Sequence, residues 1–215
     1  MRPPSPPRRP LPGRPAPEPA GALHPTPRMR TTPAAAGRDQ RLADLGLTRA
    51  VLPELDQFAT VVGRAAGAAY AFVNFLGDRE QFFAGLWRNP ERDLPAISRT
   101  MPLTHGFCPA LLARADRALV LTDVYASSRF RSNPVVDQLG IRSYVGAALL
   151  DPHTGLPLAT VCFIDTTARD DATGDHLLRS IKTWRDDLTP RLLPTGSGPG
   201  TCTPSPGRDA GQGAR

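Results

Sequence analysis

Two long apolar segments joined by a turn place the strongest constraint on the fold of this chain. Residues 141–150 read IRSYVGAALL, residues 156–164 read LPLATVCFI, and the five residues between them, DPHTG, carry Pro and Gly turn signals. The pattern predicts two strands of one antiparallel hairpin. Neither face of either segment is plainly polar, so we expect a sheet that is covered on both sides. The hairpin therefore favours an α/β sandwich, with helices on both faces of a central sheet.

Alternation along the two predicted strands sorts their side chains into faces. In the second strand Leu158, Thr160 and Cys162 fall on one face, and in the first strand Tyr144 and Gly146 share a face. The hydroxyl of Tyr144 needs a hydrogen-bond partner if the ring is buried. Tyr144 is therefore a candidate polar group on the central hairpin.

Helical periodicity marks two long helices. Apolar residues recur at steps of three and four through residues 52–66, which predicts a helix over residues 53–66 that Gly67 ends. Residues 170–173 offer capping side chains for a last helix, in which Pro190 weakens the final turn. Both helices carry a long and regular apolar stripe, so each is expected to cover part of the sheet.

Shorter elements complete the expected fold. Residues 70–76 and 81–87 flank a Gly-Asp turn and predict a second hairpin. Between residues 123 and 140 we expect a loop rich in Ser, Arg and Asn. Four further elements are a helical lead-in at 41–47, a segment at the sheet edge at 97–103, a helix at 108–114 and a strand at 118–122.

Composition separates the two ends of the chain from its middle. Residues 1–37 hold 12 of the 25 Pro and six Arg against one acid, and residues 194–215 are mostly Gly, Pro, Ser and Thr. Neither end can bury enough apolar surface to offset the entropy of ordering its backbone. We predict two disordered tails around one domain at 38–193. Met29 is an alternative to Met1 as the first residue, since nothing before it has a structural pattern.

The positive charge of the chain lies in those tails. The whole chain has a formal net charge of +6, whereas residues 38–193 carry 18 basic and 18 acidic side chains. A folded nucleic-acid reader usually carries its basic patch on the domain itself. We therefore expect no specific nucleic-acid partner, and a loose polyanion contact by the N-terminal tail is the weaker alternative.

The remaining composition points to the cytoplasm. No segment approaches the ~20 apolar residues that span a bilayer, and Arg8-Arg9 is not followed by an apolar signal region. Three Cys are too few for a disulfide scaffold in a chain of 215 residues. We expect a cytoplasmic protein with reduced thiols and no membrane partner.

The order of the sequence motifs is more specific than any one of them. The motifs are LGL at 45–47, PELDQF at 53–58, FVNFLGDREQFFAGL at 72–86, ISRTMPLTHGFC at 97–108, VLTDVYASSRFRSNPVV at 120–136 and GIRSYVGAALLDPHTGLPLATVCFID at 140–165. Over residues 41–193 this order and spacing resemble a GAF domain of the free-standing bacterial type. The resemblance implies a central antiparallel sheet of about five to six strands, with the first and last helices neighbours on one face. It also implies a small-molecule pocket on the other face, closed by shorter helices and loops.

Candidate ligand-binding residues lie in the segments that would roof this pocket, on the sheet and at two strand ends. They are Phe107, Cys108, Asp123, Phe130, Asn133, Tyr144 and Asp165. Irregular loops on a rigid sheet commonly carry binding groups, and Phe130 would anchor such a lid. Asp123 and Asp165 end strands, where a carboxylate usually accepts backbone N–H bonds from the next loop. Neither has a nucleophile poised beside it, so acid–base catalysis is not expected.

Cys108 is the candidate redox residue. It begins a predicted helix, whose partial positive charge lowers the pKa of a thiol, and His105 could add to that effect. The alternative is a small apolar residue packed under the helix, since free Cys is commonly buried. Cys162 lies inside a predicted strand and is expected in the core, and Cys202 lies in the C-terminal tail.

No metal or cofactor can be assigned from the sequence. His105 and Cys108 supply two of the four ligands that a closed zinc site requires. The loop SSRFRSNPVVDQLG has no His for haem, and the Cys-His order of many bilin-binding relatives is absent after Cys108. The acidic cyclic-nucleotide signature of phosphodiesterase GAF domains is also missing. The cofactor therefore stays unknown.

GAF domains typically serve as sensory, regulatory or dimerisation modules, and the fold does not identify the ligand. The resemblance favours a non-catalytic sensory module in signal transduction that binds an unknown small molecule. One alternative is a redox-active thiol sensor or a free methionine-R-sulfoxide reductase, a GAF-fold enzyme that GFCPAL at 106–111 resembles in part. Such enzymes use a second thiol, and only Cys108 lies in a comparable region. The other alternative is an interaction module without a ligand, acting as a homodimer or on a separate output protein.

Overall fold

The computed structural model describes residues 37–47, 49–113 and 117–194. Apart from Gly37 and Pro194, the predicted tails lie outside these ranges, so their disorder stays a prediction. Within the described residues the strands are β1 (Tyr70–Leu76), β2 (Glu80–Arg88), β3 (Thr100–Pro102), β4 (Ala118–Leu121), β5 (Ser143–Leu150) and β6 (Pro157–Asp165). The α-helices there are α1 (Arg38–Asp44), α2 (Pro53–Ala66), α3 (Pro134–Leu139) and α4 (Gly174–Leu192). This part of the chain also contains three 3-10 helices, at Cys108–Ala113, Val124–Ala126 and Asp171–Thr173.

The strands form one antiparallel sheet in the order β3-β2-β1-β6-β5-β4. The predicted hairpin of β5 and β6 lies inside this sheet, and β6 is buried at every position. Burial on both sides is what the lack of a polar face in its sequence indicates. The expected α/β sandwich around an antiparallel sheet is confirmed.

One side of the sheet, called here the helix face, is defined by Val73 of β1 and by Val161 and Phe163 of β6. It is covered by α2 and α4, and all three residues belong to one buried apolar cluster with the stripes of both helices. The stripe residues in that cluster are Leu55, Ala59 and Val62 of α2 and Leu177, Ile181, Leu188 and Leu192 of α4. The prediction that the two long helices pack on the same side is confirmed.

Helix α2 has the bounds that its sequence predicts. Pro53 occupies its first position, where a missing N–H costs little. Gly67 ends it in the left-handed region at φ 57°. Asp56, in its first turn, accepts hydrogen bonds from the backbone N of Leu86 at 2.7 Å and from Arg99 at 2.9 and 3.1 Å. The helix is thus fixed to the sheet by polar contacts as well as by its apolar stripe.

Helix α1 begins and ends earlier than predicted. Gly46 has φ 72°, so the chain turns away after Asp44 and residues 45–47 cannot continue the helix. At its start, the carboxylate of Asp78 accepts from the backbone N of Gly37 at 3.5 Å and of Arg38 at 3.3 Å. Asp78 lies in the turn between β1 and β2, so this cap comes from a distant part of the sequence.

The β5–β6 turn is fixed to α1 by an ion pair. The carboxylate of Asp151, 1% exposed, accepts hydrogen bonds from Arg41 at 2.8 and 3.1 Å. The guanidinium of Arg41 holds the pKa of Asp151 well below its usual range, with help from Thr154 and the backbone N of His153. The sequence predicted a turn here but not this contact.

The helix predicted from Cys108 is present as a 3-10 helix, Cys108–Ala113. Two further expectations were wrong. The segment expected to be a loop contains α3, with Asn133 as N-cap, Pro134 at its first position and Gly140, at φ 64°, ending it. Asp170 caps the 3-10 turn before α4, whose own N-cap, Thr173, makes no side-chain cap hydrogen bond.

Strict alternation also fails once in β6. Leu149 pairs with Ala159 and Leu150 pairs with Pro157, so Leu158 is an extra residue in the ladder. Leu158 therefore packs with the helix-face cluster. The prediction that it shares a face with Cys162 was wrong.

Candidate functional site

The other side of the sheet, called here the pocket face, carries Phe72, Tyr144, Cys162 and Ile164. No long helix covers it among the described residues. It is closed by segments 104–113 and 129–139, called here the roof, which contain one 3-10 helix and α3. The two faces of the sheet are thus closed by very different structures.

A small cavity lies between the pocket face and the roof. Its volume is about 30 Å³, which is room for one or two water molecules. Much of the wall is apolar and includes Phe72, Phe83, Met101, Phe107, Val135 and Ile164. Polar groups of the wall come from Gln81, Cys108, Tyr144 and Cys162.

Two cysteines meet at this cavity. Cys108 is the first residue of the roof 3-10 helix, and Cys162 lies in the middle of β6. Their sulfur atoms are 3.4 Å apart, and both side chains are buried. Tyr144, from β5, donates its hydroxyl to the sulfur of Cys108 at 3.4 Å. Three elements distant in sequence thus bring two thiols and a phenol into contact.

Gly146 makes room for this arrangement. It lies directly opposite Cys162 in the β5–β6 ladder. A Cβ atom at this position would lie 2.1 Å from the hydroxyl oxygen of Tyr144 and 3.0 Å from the Cβ of Cys162. The Tyr144 hydroxyl can therefore reach Cys108 because residue 146 has no side chain.

The contact lowers the pKa of one thiol and raises the pKa of the other. Hydrogen bonding from Cys162, with smaller contributions from nearby Thr160, Tyr144 and Asn74, lowers the pKa of Cys108 below its ordinary value, against the effect of burial, which raises it. The same contact with Cys108, together with burial, raises the pKa of Cys162 well above its ordinary value. Burial also raises the pKa of Tyr144, so it remains a hydrogen-bond donor at neutral pH. The site therefore favours one thiolate, on Cys108, beside one thiol.

A second polar group lies on the same face, two residues along β1 and β6 from the level of Cys162. Asn74 pairs with Thr160 across β1 and β6, next to the pairing of Phe72 with Cys162. Asn74 donates its amide to Gln81 at 2.8 Å. Among the described residues, the Oδ1 of Asn74 and the Oγ1 of Thr160 are buried without a hydrogen-bond partner. A buried acceptor without a donor is costly, so this pair of oxygens is a place where a polar molecule would be stabilised.

The roof is held by a few specific contacts. Asn133 accepts from the backbone N of Gly106 at 3.0 Å and donates to its carbonyl oxygen at 2.7 Å. Gln81 donates to the carbonyl oxygen of His105 at 2.7 Å. Phe107 packs on Tyr144, with ring centres 5.0 Å apart, and on Phe130 at 5.9 Å. Asn133 and Phe130 therefore hold the roof in place and do not line the cavity.

The two candidate carboxylates lie away from the cavity. Asp123 accepts from Arg142 at 2.7 and 3.3 Å and from the backbone N of Tyr125 at 3.0 Å. Asp165 accepts from Arg92 at 2.9 Å, from Arg169 at 3.3 Å and from the backbone N of Thr167 at 3.3 Å. Both make the backbone contact expected at a strand end, and neither is placed for acid–base chemistry.

The structure thus brings together Phe107, Cys108 and Tyr144 and adds Cys162, Asn74, Gln81 and Thr160, which sequence reasoning missed. For Cys162 the available signals were its place in a strand predicted to be buried and the presence of two other cysteines in the chain. Those signals say nothing about which segment covers the strand. His105, suggested as a cation near Cys108, does not hydrogen-bond it among the described contacts and is held instead through its own carbonyl oxygen.

A second cavity lies on the helix face beneath α1. Its volume is about 190 Å³, and its wall includes Leu42, Leu47, Phe75 and Phe82 with charged groups from Asp39, Arg49 and Glu80. It is larger than the cavity on the pocket face but brings together no buried thiol or unpaired buried oxygen among the described residues. It is the competing location for a ligand in this domain.

The described residues contain no group of three or more His, Cys, Asp or Glu side chains placed to hold a metal ion. In the same part of the chain, every helix is too short or too polar to cross a lipid bilayer.

Comparison with solved structures found proteins of several kinds that are similar to this chain. The chromophore-binding domain of a bacteriophytochrome from R. palustris is 13% identical with a TM-score of 0.51, over 74% of this chain and 59% of that one. A free methionine-R-sulfoxide reductase from Neisseria meningitidis is 16% identical with a TM-score of 0.46, over 72% and 86%. The nlh2 GAF domain from A. aeolicus is 12% identical with a TM-score of 0.47, over 73% and 93%.

Sequence comparison identifies the family. A search of curated protein sequences gave no match. The family model of the GAF domain, however, matches residues 52–181, which include every strand of the sheet, both covering helices in whole or part, and the thiol pair. This chain belongs to the GAF domain family.

Proposed function

We propose that this GAF domain is a non-catalytic sensory module of signal transduction that responds to a small molecule at the pocket face. The observation that carries the proposal is the contrast between the two faces of the sheet. Two long helices close the helix face, whereas short, irregular segments close the pocket face over buried polar groups. Binding groups are usually found on irregular segments that a rigid sheet positions.

The roof is the part that would convert binding into a signal. A cavity of about 30 Å³ is far smaller than the roughly 300 Å³ or more of most small-molecule sites, so a metabolite-sized ligand has to displace the roof. The hydrogen bonds between Asn133 and Gly106, and between Gln81 and His105, would then break or shift. Because α3 follows Asn133 directly, a change at these contacts reaches an outer helix. A ligand that favours one arrangement of the roof thereby shifts the equilibrium between conformations of the domain.

A ligand screen by thermal unfolding tests the proposal. We would screen the intact protein with nucleotides, haem, bilins, methionine sulfoxide and common metabolites. A ligand at about 100 times its dissociation constant stabilises the folded state by ~2.7 kcal/mol, which is visible as a rise in Tm. We expect Tyr144→Phe and Phe107→Ala to reduce that rise, since both residues line the cavity.

Leu47→Ala is the matched control, because Leu47 lines the cavity beneath α1. A rise in Tm that Leu47→Ala abolishes, and that both pocket-face variants retain, would contradict the proposed location. Val61→Ala provides a second control, since Val61 is 60% exposed on α2 and should leave binding unchanged.

Methionine sulfoxide reduction is the second candidate function, and the contact between Cys108 and Cys162 favours it. In that reaction two thiols and one sulfoxide give methionine, one disulfide and water, so attack and resolution require two cysteines within reach. The assay is methionine formed from the free R-sulfoxide with a dithiol reductant. Turnover that is lost in both Cys108→Ser and Cys162→Ser would support the enzyme and argue against a purely sensory role.

The proposal also includes the compartment of the module and the partner that receives its signal. Three Cys are too few for a disulfide scaffold in a chain of 215 residues, so we place the protein in the cytoplasm. The signal would pass to a second copy of the chain or to a separate output protein. The mass of the purified protein in solution distinguishes a dimer from a monomer.

A further inference from the structure

We infer that Cys108 and Cys162 form a reversible dithiol–disulfide pair, and that oxidation of this pair by a hydroperoxide is an input to the domain. The inference concerns a modification of the protein itself and holds whether or not a ligand binds at the pocket face. It rests on the position of the two sulfur atoms, on the elements that carry them and on the groups around them.

The distance between the two sulfur atoms fits this chemistry. They lie 3.4 Å apart, and a disulfide bond is ~2.05 Å long, so they must approach by about 1.4 Å. Cys162 is fixed in β6, which pairs with β1 on one side and with β5 on the other. Cys108 lies on a 3-10 helix of six residues in the roof. Any backbone movement that accompanies this approach is therefore expected in the roof and not in the sheet.

The surroundings assign a role to each sulfur. Cys108 receives the hydroxyl hydrogen bond of Tyr144, and contact with Cys162 stabilises its thiolate. A thiolate is the nucleophile in reactions of cysteine. Cys162 remains protonated beside it, since its own pKa is raised. Cys108 is thus the attacking sulfur, and Cys162 is the resolving sulfur.

The oxidation balances with hydrogen peroxide as the oxidant. The Cys108 thiolate attacks one peroxide oxygen, the O–O bond breaks, and hydroxide leaves and takes up a proton to form water. The resulting sulfenic acid is attacked by the sulfur of Cys162, the S–O bond breaks, and a second water leaves as the S–S bond forms. Two electrons pass from the two thiols to the peroxide, and an external dithiol returns them by exchange.

The cavity selects for a small oxidant. Both cysteines line it, and its volume of about 30 Å³ has room for one or two molecules the size of water. Hydrogen peroxide needs only a slight opening of the roof, whereas a bulky hydroperoxide needs a large one. We therefore expect hydrogen peroxide to oxidise the pair faster than cumene hydroperoxide does.

Oxidation would also reach the surface of the domain. Gly106, two residues before Cys108, is held by Asn133 through both its backbone N–H and its carbonyl oxygen. Asn133 is the N-cap of α3. A shift of Cys108 toward Cys162 is therefore passed to α3 through one side chain, which gives the disulfide a route to an output.

The test counts thiols in the full chain carrying Cys202→Ser, which removes the third cysteine of the sequence. The protein is treated with hydrogen peroxide, then denatured and alkylated, and its mass is measured. We expect both thiols to become resistant to alkylation, with a mass loss of two hydrogens, and to return with dithiothreitol. Peptide mapping of the same sample should find residues 108 and 162 in one disulfide-linked pair.

Cys162→Ala in this background is the matched variant. We expect no intramolecular disulfide in it, and instead oxidation of Cys108 to sulfenic and higher acids. If that variant does not fold, peptide mapping of the parent still decides the question. Two thiols that stay alkylatable in the folded parent, under peroxide that oxidises free cysteine in the same tube, would overturn the inference. A disulfide formed only between two copies of the chain would overturn it as well.

Two further measurements, oxidation by methionine sulfoxide and the ligand screen, distinguish the redox input from the proposed function. Oxidation of the pair by free methionine sulfoxide in place of peroxide identifies the enzyme, and the dithiol pair still stands. If the pair oxidises and the ligand screen gives no hit, the redox input is supported and the ligand sensor is not. A ligand hit in a protein whose thiols resist peroxide removes the redox input and leaves the ligand sensor.

Discussion

Gly85→Ala is expected to destabilise the domain by about 3 kcal/mol, because it introduces a methyl group where two backbones meet. A Cβ atom at position 85 of β2 would lie 2.3 Å from the carbonyl oxygen of Leu55 and 2.9 Å from its Cβ. Leu55 is in the first turn of α2, which Asp56 fixes to β2 at Leu86. Backbone atoms cannot rotate away as a side chain does, so the helix has to move off the sheet. Urea unfolding of the intact protein measures the loss.

Gly174→Ala is the control for that prediction. Gly174 is the first residue of α4, has helical backbone angles, and would present its Cβ to open space. Alanine there should stabilise the domain by up to about 1 kcal/mol, because Gly loses more backbone entropy on folding. Equal effects from the two substitutions would show that the approach of α2 to β2 does not determine stability in the way described.

Cys162→Ala should produce the largest change in the chemistry of the site. Its hydrogen bond is the main cause that holds the pKa of Cys108 below the ordinary value of a thiol. Without it, burial is the largest remaining influence, and the pKa of Cys108 should rise. If it rises by about one, the thiolate fraction at a pH below the pKa falls about tenfold.

The ultraviolet absorbance of the thiolate, followed against pH in the Cys202→Ser background, measures this change directly and needs no reagent to enter the cavity. Tyr144→Phe provides a graded comparison, since it removes one weaker donor and should raise the same pKa by less. A titration of Cys108 that stays in place in Cys162→Ala would mean that the contact between the thiols does not control its charge.

Local signals in the sequence predicted the elements that local physics determines. Pro53 and Gly67 bracket α2, and the apolar stripe between them has the helical period, so its bounds followed from the sequence alone. The β5–β6 hairpin was likewise readable from two apolar runs and the turn between them. Asn133, Pro134 and Gly140 carry equally good signals for α3. That helix of six residues is too short for its periodicity to be noticed, and only its caps could have revealed it.

The thiol pair could not be predicted because it depends on contacts between distant segments. Alternation placed Cys162 on one face of its strand, but it did not say which face of β5 shares that side. The register, with Gly146 opposite Cys162, determines it. Nor does the sequence show that the helix starting at Cys108, 54 residues earlier, lies over that ladder position. The same holds for Asn74 and Gln81, which read as ordinary strand residues and meet in the interior.

The central claim is that the domain opens and responds at the pocket face. Native-state hydrogen exchange of the intact protein tests this claim without a known ligand. We predict that the backbone amides of the roof, at 104–113 and 129–139, exchange through local opening at a free energy well below that of global unfolding. The amides of α2 and of β6 should exchange only when the whole domain unfolds. Roof amides protected as strongly as those of α2 would contradict the account, because neither a ligand nor an oxidant could then reach the site.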